Sequence, residues 1–294
     1  SSTASTGSHG GYRNPIVVGN YNNGVGYAGF TATHLKIKHN VPDNASIYLL
    51  GNTRGWDINN ISADTLGSGA LVGAHWGNAD AVDSNLARSA SVYTTHPHDG
   101  KISNIMVRRH AIVGSEVVFL SSAYNVDVIN VIGAEVTSLV EITCGDYGYY
   151  YQRPFPDEYS KTTTTLQGQG ITVTNATGTA ITANSALFRV SGDASKMIGG
   201  AIDSGTYDMS VVFTNCKAEV NAVASTHGFF LQDCRGVTLN NCEASGAPTG
   251  YAGLIAGNSV GHLKINGGKF VNNAGYGLSL SSSGFEPVQP SVKG

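Results

Sequence analysis

The residues best suited to chemistry in this chain are carboxylates on alternating, strand-like segments and aromatics crowded into one polar loop. Glu141 lies in VEITCGD, Val140 to Asp146, a segment that aligns with VFLSS from Val118 so that Ile142 takes the place of Leu120. If Leu120 faces a core, alternation turns Phe119 outward in one segment and Glu141 outward in the next, side by side. Asp146 falls at the turn that opens the aromatic loop, and Glu116 sits one segment earlier, near the start of its strand. Neighbouring strands lie about 4.8 Å apart and two residues along a strand add about 6.8 Å. Carboxylates on adjacent segments can therefore span the roughly 5 to 9.5 Å that glycoside hydrolysis requires. That chemistry calls for one protonated acid at the leaving oxygen and one ionised base or nucleophile. Glu141 and Asp146 are the expected catalytic pair, with Glu116 as the third candidate. Taken singly, each of the three reads first as a solvated surface carboxylate, as most exposed acids are.

The loop itself is DYGYYYQRPFPDEYSK, Asp146 to Lys161. Tyr149, Tyr150 and Tyr151 beside Arg153 are the expected substrate-binding residues, and Trp76 joins them from another irregular stretch. Sugar rings present C–H faces that stack on Tyr and Trp, and aromatics exposed on a loop are costly unless something covers them. Packing of this loop on its own scaffold or on another subunit explains the same residues as well as binding does. His75, His96, His98, Asp99 and His227 have metal-capable side chains, but no recognised ligand spacing joins them, so no metal and no cofactor are expected. Arg108, Arg109 and His110 read first as a solvated face. The four cysteines include no CxxC pair and read as buried free thiols.

These candidates need a scaffold, and an internal repeat supplies it. WDINNISA from Trp56, VDVINVIG from Val126, VVFTNCKA from Val211, VTLNNCEA from Val237 and LKINGGKF from Leu263 share one alternation of apolar and polar positions. Val211, Val237 and Leu263 follow at a constant offset of 26 (237−211 and 263−237), and Gly100 opens a weaker copy 26 before Val126. A fifth-position column holds Asn60, Asn104, Asn130, Asn215 and Asn241, whose amides are expected to satisfy polar groups inside a stack. HLKI occurs twice, from His34 and from His262. Six residues before three of the copies stand Leu50, Leu120 and Leu231, read as a second strand with one shared inward column. KMIGGAID from Lys196 is rejected as a copy, since its Ile198 lies only 15 residues before Phe213 (213−198). No 3.6-residue period appears in these segments. The pattern predicts an all-β fold, a right-handed parallel β-helix with single-stranded coils of about 22–26 residues.

Two stretches interrupt the rhythm: residues 67–99, with a short helix expected near Ala79 to Ala90, and residues 146–161. Residues 1–30 read as a lead-in or cap, 31–285 as the repeat domain and 286–294 as a tail. Only 13% of the 294 residues are charged while 41% are hydrophobic, so the low charge does not signal disorder. A net charge of −3 argues against nucleic acid as a partner. No apolar run approaches a membrane span, and the first residues carry no signal-peptide pattern.

Coil length, the Asn column and the low charge resemble the pectate-lyase-like right-handed β-helices, and within them the tailspike depolymerases of bacteriophages. The resemblance covers about residues 31–285 and is one of architecture and composition. It implies a homotrimer on the virion tail that attaches to a host cell and hydrolyses bacterial surface polysaccharide, whether capsule, O-antigen or exopolysaccharide. The NTD, DD and RIK motifs of the pectin hydrolases are absent. Two other functions remain open at this point. One is a polysaccharide lyase that takes a proton beside a uronate carboxyl group, and the other a non-catalytic sugar-binding fibre or adhesin segment.

Overall fold

The computed structural model describes residues 16–20, 26–40, 45–67, 69–75, 97–110, 116–121, 123–143, 170–180, 186–191, 209–221, 225–232, 234, 236–257, 260–280 and 291–293. Among them the chain is all-β and its strand pairings are parallel. It alternates between two sheets. The first has nine strands that lie in space in chain order, among them Ala45–Leu50, Ala70–His75, Glu116–Ser121, Ser138–Thr143, Ala186–Ser191, His227–Gln232 and Ala252–Ala256. The second, of twelve strands, holds the repeat copies, with pairings such as Val211 to Val237 and Leu239 to Ile265 that keep the expected offset. Ile16–Val18, in the predicted lead-in, pairs with Ala45–Leu50, and Ser291–Lys293, in the predicted tail, pairs with Lys264–Phe270.

Two columns of left-handed backbone punctuate the second sheet. The first runs Gly29, Gly55, Asp99, Asn125, Gly170, Ser210, Gly236 and His262; the second runs His34, Asn60, Asn104, Asn130, Asn175, Asn215, Asn241 and Gly267. Each member of the second follows its partner by five residues (34−29, 60−55, and so on to 267−262). All sixteen have φ between 48° and 72°. Two left-handed corners per pass thus bracket a four-residue strand. Asn is the non-glycine residue most at ease there, because its short amide bonds locally. Asn130 Nδ2 donates to Asn104 Oδ1 at 3.0 Å, Asn175 to Asn130 at 3.3 Å and Asn215 to Asn175 at 3.3 Å.

Several sequence expectations need correction here. The Asn column stands exposed at an outer corner and not inside the stack, because a left-handed residue swings its side chain away from the core. Its first step also slips, since Asn104 donates to Asn59 at 2.9 Å while Asn60 meets His34 at 3.4 Å. The column has a further member in Asn175, in ITVTNATG, which pairs with Val126 on one side and Val211 on the other. The intervals there are 45 and 40 (171−126 and 211−171), so insertions conceal the repeat from a fixed-offset search. The two HLKI segments are not equivalent, since His34 belongs to the second corner and His262 to the first. Leu50 is one residue out of its assigned column: Leu49 pairs with Ala74, and Ala74 with Leu120.

The core lies between the sheets. Phe188 and Phe229 are register partners whose rings stack at 4.7 Å, and Phe213 from the second sheet meets both edge-on at 5.8 Å. Such aromatic pairs add about 0.5–1.5 kcal/mol each beyond the area they bury. Cys216, Cys234 and Cys242 are buried free thiols, as expected. The predicted helix near Ala79 to Ala90 and the rejected copy at Lys196 lie outside the described residues. Among the described residues no helix is long and apolar enough to cross a membrane.

Candidate functional site

The nine-stranded sheet positions the site through a kink near the start of its strands. Val117 and Val118 are consecutive, yet both are in the main core, as are Leu139 with Val140, Leu187 with Phe188, and Leu71 with Val72. Strict alternation cannot bury two neighbours on one side, so the strand turns between them. Residues before the kink return to the outer face. Ala45 and Ala70 accordingly share an apolar cluster with the outward Tyr48 and Leu50, with Phe119 packed against it. Glu116 precedes the kink, and the same turn brings it outward, although counting back from Leu120 would aim it at the core.

Glu141 occupies the position predicted for it. It pairs with Phe119 on one side and, on the other, with Arg189, while Ile142 pairs with Leu120. Its flanks leave it only 9% exposed. Arg189 Nη1 lies 3.4 Å from Glu141 Oε1, and the guanidinium carbon sits 5.7 Å from the ring centre of Phe230, the next register partner. One outward column therefore reads Phe119, Glu141, Arg189, Phe230 across four adjacent strands. His227 lies 5.7 Å from Phe230 and 5.0 Å from Tyr251 between ring centres, and its Nδ1 accepts the Ala252 N–H at 2.9 Å. Burial lowers the His227 pKa, which keeps the ring neutral near pH 7.

The two glutamates are electrostatically unequal. Burial pushes the Glu116 carboxyl up to about 7, the negative charge of Glu141 adds to the rise, and Glu116's own backbone amide and Arg189 oppose it. Burial also raises the Glu141 carboxyl, with Arg189 opposing.

No family model, curated protein or solved structure matches the chain. What it does must be read from its own side chains.

Of the sequence-derived candidates, the structure brings Glu116 and Glu141 to one outer face, whereas Asp146, Tyr149, Tyr150, Tyr151, Arg153 and Trp76 lie outside the described residues. The sequence reading missed Arg189, Phe230, His227 and Tyr251. Arg189 is 48 residues from Glu141 (189−141), across an insertion that hides their register. The signal was present in ALFRVS, whose alternation matches LVEIT once the insertion is excised. Away from this face, the basic run resolves into separate roles. Arg108 pairs with the Asp64 carboxylate at 3.0 Å and Arg109 donates to Thr65 Oγ1 at 3.2 Å. His110 is buried, with its pKa depressed to about 4 by desolvation and its Nδ1 accepting the Thr137 N–H at 3.1 Å. His98 Nδ1 meets Asp99 at 2.8 Å and its Nε2 meets Asn52 at 3.1 Å, a corner contact within the stack. Among the described residues no group of three metal-capable side chains converges.

Proposed function

We propose that the chain is a right-handed parallel β-helix and that the outer face of its nine-stranded sheet hydrolyses a bacterial surface polysaccharide, in the manner of a phage tailspike depolymerase. One observation carries this reading: two glutamates on adjacent strands of one face, Glu116 with its carboxyl pushed up to about 7 by burial and by the charge of Glu141, and Glu141 with its carboxyl 3.4 Å from the Arg189 guanidinium. Carboxyl groups whose environments push their titrations apart supply the acid and base of glycoside hydrolysis. Glu116 gives its proton to the leaving glycosidic oxygen. Glu141 acts at the anomeric carbon, either by taking a proton from the attacking water or by forming a glycosyl ester that water then cleaves. In both cases water supplies the hydroxyl of the new reducing end, and the proton balance is restored between the two carboxyls. Phe119, Phe230 and Tyr251 flank the pair and offer rings on which sugar C–H faces can stack.

The trimer, the virion-tail location and the host-attachment role belong to the same proposal and rest on the resemblance. The direct test is incubation with a panel of purified capsular, O-antigen and exopolysaccharide polymers. Chain length is followed by size exclusion and the unsaturated-uronate absorbance is recorded on the same runs. Shortened chains without new absorbance are expected. Shortening with absorbance would establish a lyase instead, and binding without shortening a fibre or adhesin segment.

A further inference from the structure

Two neighbouring glutamates do not by themselves decide which keeps the proton. Here the tie is broken from one side. The Ser138–Thr143 strand lies between Glu116–Ser121 and Ala186–Ser191, so Arg189 stands next to Glu141 and one strand further from Glu116. Coulomb attraction falls with distance, and more steeply in effect when water screens the longer path. Arg189 is itself held in place. Its guanidinium is set over the Phe230 ring on the following strand and beside the Glu141 carboxylate, and among the described residues its Nε has no hydrogen-bond partner.

The other ionisable groups around Glu141 do not compete for this role. From the Glu116–Ser121 strand comes Glu116 alone, and the Thr177–Ala180 strand offers none. Asp127 and Glu135 of the Tyr124–Val136 strand are exposed on the second sheet, and Tyr124 of that strand is buried. His227 stands two strands from Glu141, and burial lowers its pKa. His75 lies on the Ala70–His75 strand beyond Glu116–Ser121; among the described residues Arg189 is the basic side chain that pairs with Glu141.

We propose that Arg189 is the positioning residue that assigns the two glutamates their roles, holding Glu141 as the carboxylate so that the acid proton resides on Glu116. Phe230 serves the same end by fixing the guanidinium in line with Glu141. The inference rests on the reading of this face as a hydrolytic site, but its electrostatic content can be measured without any substrate.

The test is a titration of the full chain carrying ¹³C-labelled glutamate side chains, with the two carboxyl resonances assigned through E116Q and E141Q. In the parent protein Glu141 is expected to titrate below Glu116. In R189Q the Glu141 midpoint should rise by about one unit or more, as an opposite charge at this range lowers a carboxyl by 1–3 units. R189K should recover part of the separation, since it restores the charge without the planar fork. F230L, which keeps the charge and removes the ring beneath it, should show a smaller rise. With a cleaved polymer in hand, the acid limb of the kcat profile should move up in step while KM stays near the parent value. An unchanged Glu141 midpoint in folded R189Q, or in R189M, which also removes the charge, should R189Q not fold, would overturn the proposal. A shifted midpoint with no polymer cleaved by the parent would uphold the electrostatic role and remove the hydrolase.

Discussion

At the residue scale, the unequal glutamates make the site sensitive to pH in a defined direction. Glu116 titrates at about 7 when folded and at an ordinary 4.5 when unfolded. Between those values the folded protein keeps a proton that the unfolded chain has released. The stability tied to this group is therefore full below about pH 4.5 and is lost as pH rises through 7, on the order of 3 kcal/mol in total. Urea unfolding at pH 5 and pH 8 should show that slope, and E116Q, which stays neutral, should flatten it. On the proposed hydrolysis, E116Q and E141Q should each lose at least about a hundredfold in kcat with the sheet intact by circular dichroism. Cleavage should fall above about pH 7 as Glu116 gives up its proton. His110 acts in the opposite sense. With a folded pKa near 4 against an ordinary 6.5, its contribution is present above 6.5 and lost as pH falls through 4. His110→Asn, which keeps an acceptor for the Thr137 N–H, should lessen the acid sensitivity of unfolding.

At the scale of the element, corners and close approaches hold the passes in register. Asn130 sits at φ 55° and lies between Asn104 and Asn175 in the amide ladder. Asn130→Ala keeps the left-handed strain of about 1–2 kcal/mol and removes the bonds that compensate it, while Asn130→Gly removes the strain as well. Chemical denaturation should therefore rank Ala below Gly. Gly100 has a different reason to be glycine: an added Cβ would fall 2.0 Å from Trp56 Cε2, inside a ring that is itself buried. Gly100→Ala must displace Trp56 and should cost about 1–3 kcal/mol or more, again read by denaturation. A loss below about 0.5 kcal/mol would mean that the indole has another place to go.

At the scale of the molecule, both sheets run the length of the stack, so each pass buries its apolar residues against the pass before and after it. Stability in such an array is a sum of neighbouring interfaces. Met106 and Ile132, adjacent in register and about half exposed, lie on the outside of the second sheet. Sedimentation should show a trimer if the tailspike reading holds, and a concentration-independent monomer of the full chain would count against it.

The sequence by itself determined the parallel all-β architecture, because alternation at an offset of 26 gives each residue a like neighbour one pass away. It also determined the outward aim of Glu141 beside Phe119, which follows from alternation alone. It did not reveal that the Asn column lies outside, since left-handed backbone is a property of the folded corner and not of the residue order. Nor did it reveal the pass at Ile171 or the pairing of Glu141 with Arg189, because insertions change the interval while leaving the register intact. The place of Glu116 was decided by tertiary structure alone. A kink that buries Val117 and Val118 together turns the residue before them to the outer face, and the burial it meets there, with the charge of Glu141, raises its carboxyl.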